Sequence, residues 1–146
     1  MTLEQAKGLV AACVGQMNAS YKRTVFDEWA IVSFSDRKGR LLSYSGPRKQ
    51  DFLTNFSRDV GSLRAGLFGK KQYPGEFEFT RQNVGTGFES FMALGDGMYL
   101  ILNNTVQSMD EIARDPRWLA AQVPFAEFSE VIRQNPVEAT VQGGTD

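Results

Sequence analysis

The alternation of apolar and polar residues divides the chain into helical and extended segments. Apolar residues recur at three- and four-residue steps over residues 3–18 and again over residues 48–68. This spacing predicts two amphipathic helices, which we call helix 1 and helix 2. Thr2 and Gln5 have the spacing of a capping box, which places the start of helix 1 at Leu3.

Five shorter segments have the composition of β-strands. Residues 28–34 and 98–102 are apolar at nearly every position, so other elements must cover both faces of these two strands. The stretch Gly95-Asp96-Gly97 joins the last two strands and predicts a β-hairpin, since both glycines tolerate the positive φ of a tight turn. The remaining strands are predicted at residues 41–45, 76–81 and 88–94.

The order of these elements predicts a single α+β domain over residues 1–136. The two apolar strands are expected at the centre of a three-layer arrangement, with helix 2 on one face and helix 1 with the later helices on the other. After a core of residues 3–104, three short helices are indicated by Ser108, by Asp115-Pro116 and by Pro124. Residues 137–146 have few groups that could pack, so we expect a flexible tail.

The composition excludes several classes of function. Sixteen basic and seventeen acidic residues give a net charge of −1, which provides no field to attract nucleic acid or an anionic membrane. Histidine is absent and Cys13 is the only cysteine, so Ser-His-Asp hydrolysis, Cys-His proteolysis and cysteine-based zinc sites are excluded. Cys13 falls on the apolar stripe of helix 1, which favours a buried structural thiol. We therefore expect a cytoplasmic protein with no metal and no cofactor.

Other candidate motifs have simpler explanations. Gly85-Thr86-Gly87 lies between two strands and does not open a helix, so a turn explains it better than a phosphate-binding loop. Glu76 and Glu78 share a strand face and could act as an acid pair, although a solvated face is the simpler interpretation. Trp118 could anchor a partner or attach the terminal helices to the sheet, and the second interpretation is favoured slightly.

Helix 2 and the third strand carry the candidate partner interface. One side of helix 2 has only small residues, which would let another helix approach closely. Gly61 within this row would destabilise an exposed helix by about 1 kcal/mol relative to alanine, which favours a packing role for this glycine. The third strand would leave an unpaired edge, which proteins seldom leave unprotected. The predicted interface residues are Thr54, Ser57, Gly61, Ala65, Glu76, Phe77, Glu78, Phe79 and Thr80.

Two segments resemble the Roadblock (dynein light chain) family, which has a profilin-like fold. Residues 30–41 (AIVSFSDRKGRL) are similar to that family's apolar strand, turn and returning strand, and residues 91–103 (FMALGDGMYLILN) are similar to its closing hairpin. The resemblance implies a five-stranded antiparallel sheet in the order 2-1-5-4-3. It also implies a homodimer, or a heterodimer with a paralogous subunit, in which third strands pair edge to edge and helix 2 packs against its copy.

The resemblance further implies a function without a catalyst. Dimers of bacterial relatives bind small Ras-like GTPases, so we expect a non-enzymatic dimeric regulator or scaffold of such a GTPase. One alternative is a ligand-sensing module in which Phe77, Phe79, Phe88 and Phe91 line a pocket. Another is a secretion-type chaperone, although that class usually places three strands before the second helix and this chain has two.

Overall fold

A computed structural model describes residues 1–22, 25–34, 39–68, 73–82, 87–104 and 107–138, with the backbone alone for residues 59–68 and 77–82. Four helices and five strands are formed by these residues. In chain order, they are α1 (Leu3–Tyr21), β1 (Glu28–Ser33), β2 (Arg40–Ser45), α2 (Lys49–Phe68), β3 (Phe77–Gln82), β4 (Phe88–Gly95), β5 (Met98–Asn104), α3 (Met109–Arg114) and α4 (Arg117–Gln134).

Local sequence chemistry sets several of these boundaries. The capping box at α1 is confirmed, because the Thr2 hydroxyl accepts from the Gln5 N–H and the Gln5 side chain accepts from the Thr2 N–H. Ser108 caps α3 in the same way by accepting the Glu111 N–H. Helix α1 continues beyond the predicted end at Asn18. Lys22 adopts the left-handed conformation that closes the helix.

The strands form one antiparallel sheet in the order β2-β1-β5-β4-β3, so the predicted α+β class is confirmed. Every residue of β1 and of β5 is buried, as the absence of alternation predicts. The β4–β5 hairpin closes through Asp96 and Gly97, whose φ angles of 47° and 74° are those of a turn that follows the natural twist of the strands.

Each face of the sheet is covered by a separate apolar cluster. On one side, which we call the α2 face, Phe52 and Phe56 of α2 pack on residues of β1, β4 and β5. On the other side, the α1/α4 face, the strands pack against α1, α3 and α4. Helices α1 and α4 run antiparallel, since the Met1 amino group donates to Pro136 O at one end and the Arg117 guanidinium lies over the Tyr21 ring at the other.

The prediction of a helix that begins at Pro124 is wrong, because α4 runs without interruption from Arg117 to Gln134. The missing N–H of Pro124 removes one helical hydrogen bond. The cost is offset by a row of side chains that all enter the same core from both sides of the proline. Buried members of this row are Trp118, Ala121, Phe125, Phe128 and Ile132.

The prediction that the flexible tail begins at residue 137 is also wrong. Val137 is 1% exposed, and its N–H donates to Leu94 O over 2.8 Å. The next N–H, of Glu138, donates to Met1 O over 2.9 Å. These residues therefore attach the chain after α4 to the β4 strand and to the start of α1, and the rest of the predicted tail, residues 139–146, lies outside the described residues.

Candidate functional site: a partner-binding surface

The row of small residues predicted on helix 2 begins on an exposed side of α2. Thr54 and Ser57 are exposed, whereas Phe52 and Phe56 of the same helix are buried against the sheet. Gly61 and Ala65 are helical residues of α2, and four-residue steps place them on the side of the helix that Ser57 occupies. The backbone therefore aligns the four predicted positions along one row that points away from the Phe52 side.

Strand β3 lies at one margin of the sheet. It pairs with β4, and the strand order places no described strand on its other side. The predicted interface residues Phe77, Glu78, Phe79 and Thr80 all belong to β3, and their side chains lie outside the described part. The pairing register shifts between Glu78 and Arg81, so a β-bulge interrupts β3 near its middle.

The turn before β3 is fixed by α4. Glu76 is exposed, lies just before the strand, and accepts the Tyr73 N–H through its carboxylate over 3.3 Å. The N–H of Gly75 donates to Ala93 O over 2.8 Å, while Gly75 O accepts the Ser129 hydroxyl over 2.6 Å. Helix α4 therefore determines where β3 begins, a role that the sequence did not indicate.

The four aromatics proposed for a ligand pocket do not come together. Phe88 is buried in the cluster on the α1/α4 face, whereas Phe91 is buried in the cluster on the α2 face. The two side chains stand on opposite sides of β4 because the residues are three positions apart, and side chains alternate between the two faces of a strand. The prediction of one pocket that contains both is therefore wrong, and the side chains of Phe77 and Phe79 lie outside the described part.

A buried polar cluster on the α2 face was missed by sequence reasoning. Glu28 is 6% exposed and Asn103 is 5% exposed, and they face each other across β1 and β5. The Asn103 side-chain N–H donates to Glu28 Oε1 over 2.7 Å, and the Tyr44 hydroxyl donates to Glu28 Oε2 over 2.5 Å. The only sequence signal is that Glu28 opens, and Asn103 nearly closes, an otherwise apolar strand.

Tyr44 links this cluster to the start of α2. Its hydroxyl oxygen accepts the Arg48 N–H over 3.1 Å, just before the first turn of the helix. Burial and the hydrogen bond to Glu28 raise the pKa of Tyr44 to about 12. Helix α2 carries the candidate interface. Its start is positioned by two hydrogen bonds in series, from the Arg48 N–H to the Tyr44 hydroxyl and from that hydroxyl to the buried Glu28 carboxylate.

Two other residues singled out in the sequence are structural. Cys13 is buried in α1, as predicted, and burial together with the nearby charge of Glu127 raises the pKa of its thiol to about 12. Trp118 is buried in the α1/α4 core, which confirms the interpretation that it attaches α4 to the sheet.

Cys13 should therefore resist alkylation while the protein is folded. We expect iodoacetamide to label native protein near pH 8 far more slowly than urea-unfolded protein, as followed by mass spectrometry. Because the folded pKa exceeds the ordinary thiol value of 9.0, the contribution of Cys13 to stability is complete below about pH 9 and is lost as pH rises through about 12. The Cys13→Ala variant should lose less stability over this range, and equal losses would contradict the assignment.

Within the described ranges, no three histidine, cysteine or acidic side chains form a group that could hold a metal ion. No described helix combines the length and apolar character needed to cross a membrane.

The pKa of the Asp115 carboxylate is lowered by hydrogen bonds from the Arg117 side chain and from the Arg117 N–H. This arrangement fixes the start of α4.

Comparison with known proteins gives only distant similarities. The sequence matches no protein-family model and no curated protein. Among solved structures, MglB of Myxococcus xanthus shares 15% identity over 90% of this chain and 95% of that chain, with a TM-score of 0.46. The gliding protein MglB from Thermus thermophilus shares 12% identity over 86% and 92%, with a TM-score of 0.43.

Proposed function

We propose that this protein is a non-enzymatic regulator or scaffold that acts as a dimer and binds a small Ras-like GTPase. The observation that carries the proposal is the position of β3 at the margin of the sheet. An unpaired strand edge can accept a strand from a second copy, which would extend the antiparallel sheet across two subunits. The GTPase as partner follows from the resemblance of residues 30–41 and 91–103 to the Roadblock family.

Helix α2 would supply the second part of the subunit contact. The β-bulge between Glu78 and Arg81 limits regular pairing along β3 to a short stretch, because bulges disrupt the ladder and blunt strand edges. A stable dimer therefore needs further buried area, and the predicted row from Thr54 to Ala65 would supply it. Small side chains on both copies would allow the two helix axes to approach closely.

We expect wild-type protein to be a dimer at micromolar concentration, as measured by light scattering and sedimentation. Replacement of Gly61 by leucine should weaken self-association by about tenfold or more, because a branched side chain would separate helices whose closest approach needs a bare backbone. Lys49→Ala, at the exposed start of α2, is the matched control and should leave the dimer unchanged. A wild-type monomer, or a Gly61→Leu dimer of wild-type affinity, would contradict this interface.

The partner is tested separately. Wild-type protein should capture a guanine-nucleotide-binding protein from the native host, and the purified pair should bind with an affinity that depends on whether GDP or a GTP analogue is loaded. Rates of GTP hydrolysis with and without this protein would distinguish a regulator from a scaffold. A dimer that binds no nucleotide-loaded GTPase of the host would overturn the assignment of the partner while leaving the dimer in place.

A further inference from the structure

We propose that the outer surface of α1 and α4 binds a second copy of this chain, with α1 of each copy lying over α4 of the other. This inference goes beyond the proposed function, because α1 and α4 cover the face of the sheet opposite α2. The contact is therefore separate from the proposed contact through β3 and α2. If both contacts form, two dimers join into a larger assembly.

Exposed apolar side chains are concentrated on this surface. Leu119 is 77% exposed and Val123 is 53% exposed, and they lie one turn apart on the side of α4 that points away from its buried row. Four of the five large apolar side chains that are exposed in the described part belong to α1 or α4. Residues 8–21 and 118–126 contain no charged side chain, although 23% of the chain is charged. An exposed apolar patch of this kind is typical of a protein-binding surface.

The neighbouring helix α1 has a shape that complements these side chains. Gly8, Ala12, Gly15 and Ala19 recur at three- and four-residue steps along its outer side, and all four are exposed. The positions that a Cβ would take at Gly8 and at Gly15 face open space. A shallow groove therefore follows α1, in which branched side chains of another helix can approach the backbone closely.

The heights of these residues along the two helices match. Helices α1 and α4 are antiparallel, and the contacts at their two ends fix which residues lie at the same height. Because the helical rise is the same in both, Gly15 is level with Val123, and Ala19 is level with Leu119. A two-fold axis parallel to the helices would place α1 of each copy over α4 of the other at unchanged heights. The apolar side chains of each copy would then enter the groove of the other.

The charges next to the apolar patch favour a second copy as the occupant. Lys7 pairs with Glu4 at the start of α1, and Arg133 pairs with Glu130 near the end of α4. The same heights place Lys7 level with Glu130, and Glu4 level with Arg133. Two docked copies would therefore set opposite charges against each other across the interface. Each of the four side chains is at least 36% exposed, so it can keep its partner within the chain and also contact the second copy.

The experiment reverses one charge at a time and measures self-association by sedimentation equilibrium at low ionic strength. We expect wild-type protein to associate beyond its state at micromolar concentration with a dissociation constant of about 100 μM, as for a small interface. Lys7→Glu and Glu130→Lys each set like charges against each other in two identical copies, so each variant alone should associate about tenfold more weakly. A 1:1 mixture of the two variants restores opposite charges at both contacts and should recover the wild-type affinity.

Two further variants complete the test. Asp110→Lys reverses an exposed charge on α3 and is the matched control, which should leave the association unchanged. Val123→Glu puts a charge into the apolar patch and should abolish the association. In Gly61→Leu, which weakens the proposed α2 contact, the same association should join monomers into dimers, so failure of that contact and failure of this one are distinguishable.

Three results would overturn the proposal. The first is the absence of further association of wild-type protein up to about 1 mM. The second is unchanged association in Val123→Glu, which would place the contact elsewhere. The third is a mixture of Lys7→Glu and Glu130→Lys that associates no better than either variant alone, because α1 of one copy would then not lie over α4 of the other.

Discussion

Replacement of Gly75 by alanine should lower the free energy of unfolding by about 2–4 kcal/mol, which is a large fraction of the stability of a domain. Gly75 has a φ of +89°, a conformation that side-chain-bearing residues rarely adopt, and an added Cβ would lie 2.6 Å from Ser129 O. Neither the backbone of α4 nor the Gly75 turn can move freely, because Gly75 also bonds Ala93 O and the Ser129 hydroxyl. Urea denaturation followed by circular dichroism would measure the loss.

Gly15→Ala is the matched control, and we expect it to change the free energy of unfolding in the opposite direction. Gly15 lies within α1, and the position that a Cβ would take faces open space. Alanine there should stabilise the protein by about 0.5–1 kcal/mol, because glycine loses more backbone entropy than alanine when a helix forms. If Gly75→Ala were tolerated as well as Gly15→Ala, α4 would not fix the start of β3.

Sequence reasoning succeeded where neighbouring residues determine the structure. The capping box at Thr2 and the hairpin at Gly95-Asp96-Gly97 depend on groups a few residues apart, and the structure confirms both. The buried strands β1 and β5 were also predictable, because a strand that is apolar on both sides has only one stable location in a layered fold.

Sequence reasoning failed where distant contacts override local preferences. Pro124 has the local properties of a helix start, but the buried row that continues from Trp118 to Ile132 keeps it inside α4. Val137 belongs to a polar segment without any periodic pattern, and it is ordered by a hydrogen bond to Leu94, a residue far away in the sequence. The local sequence contains no information about the packing of α4 in the core or about the hydrogen bond between Val137 and Leu94.

The candidate site shows the same division. The exposed start of the small-residue row was predictable from helical spacing, and Phe88 and Phe91 could have been assigned to opposite faces from the odd separation between them. The contact between Glu28 and Asn103 could not be predicted, because it joins residues 75 positions apart. Two isolated polar residues in apolar strands look independent until the register of the sheet brings them together.

Replacement of Phe125 by alanine should destabilise the protein by about 3–5 kcal/mol, because removal of a buried aromatic side chain loses its transfer free energy and leaves a cavity. Phe125 is 2% exposed and belongs to the cluster that covers the α1/α4 face of β1, β4 and β5. Residues beyond Asn104 therefore do not form an appendage to a complete core. Without the side chains of α4, one face of the sheet would lose much of its cover.

Leu119 tests whether this loss reflects burial and not helix propensity. It lies on the same helix and is 77% exposed, so Leu119→Ala should change the free energy of unfolding by less than about 0.5 kcal/mol. Both substitutions remove a large apolar side chain and introduce the best helix-forming residue, which leaves burial as the main difference between them. Urea denaturation of the two variants would measure the contrast. Similar losses of stability would mean that α4 is not held against the sheet by its buried row. They would also contradict the conclusion that α4 positions β3 through Ser129.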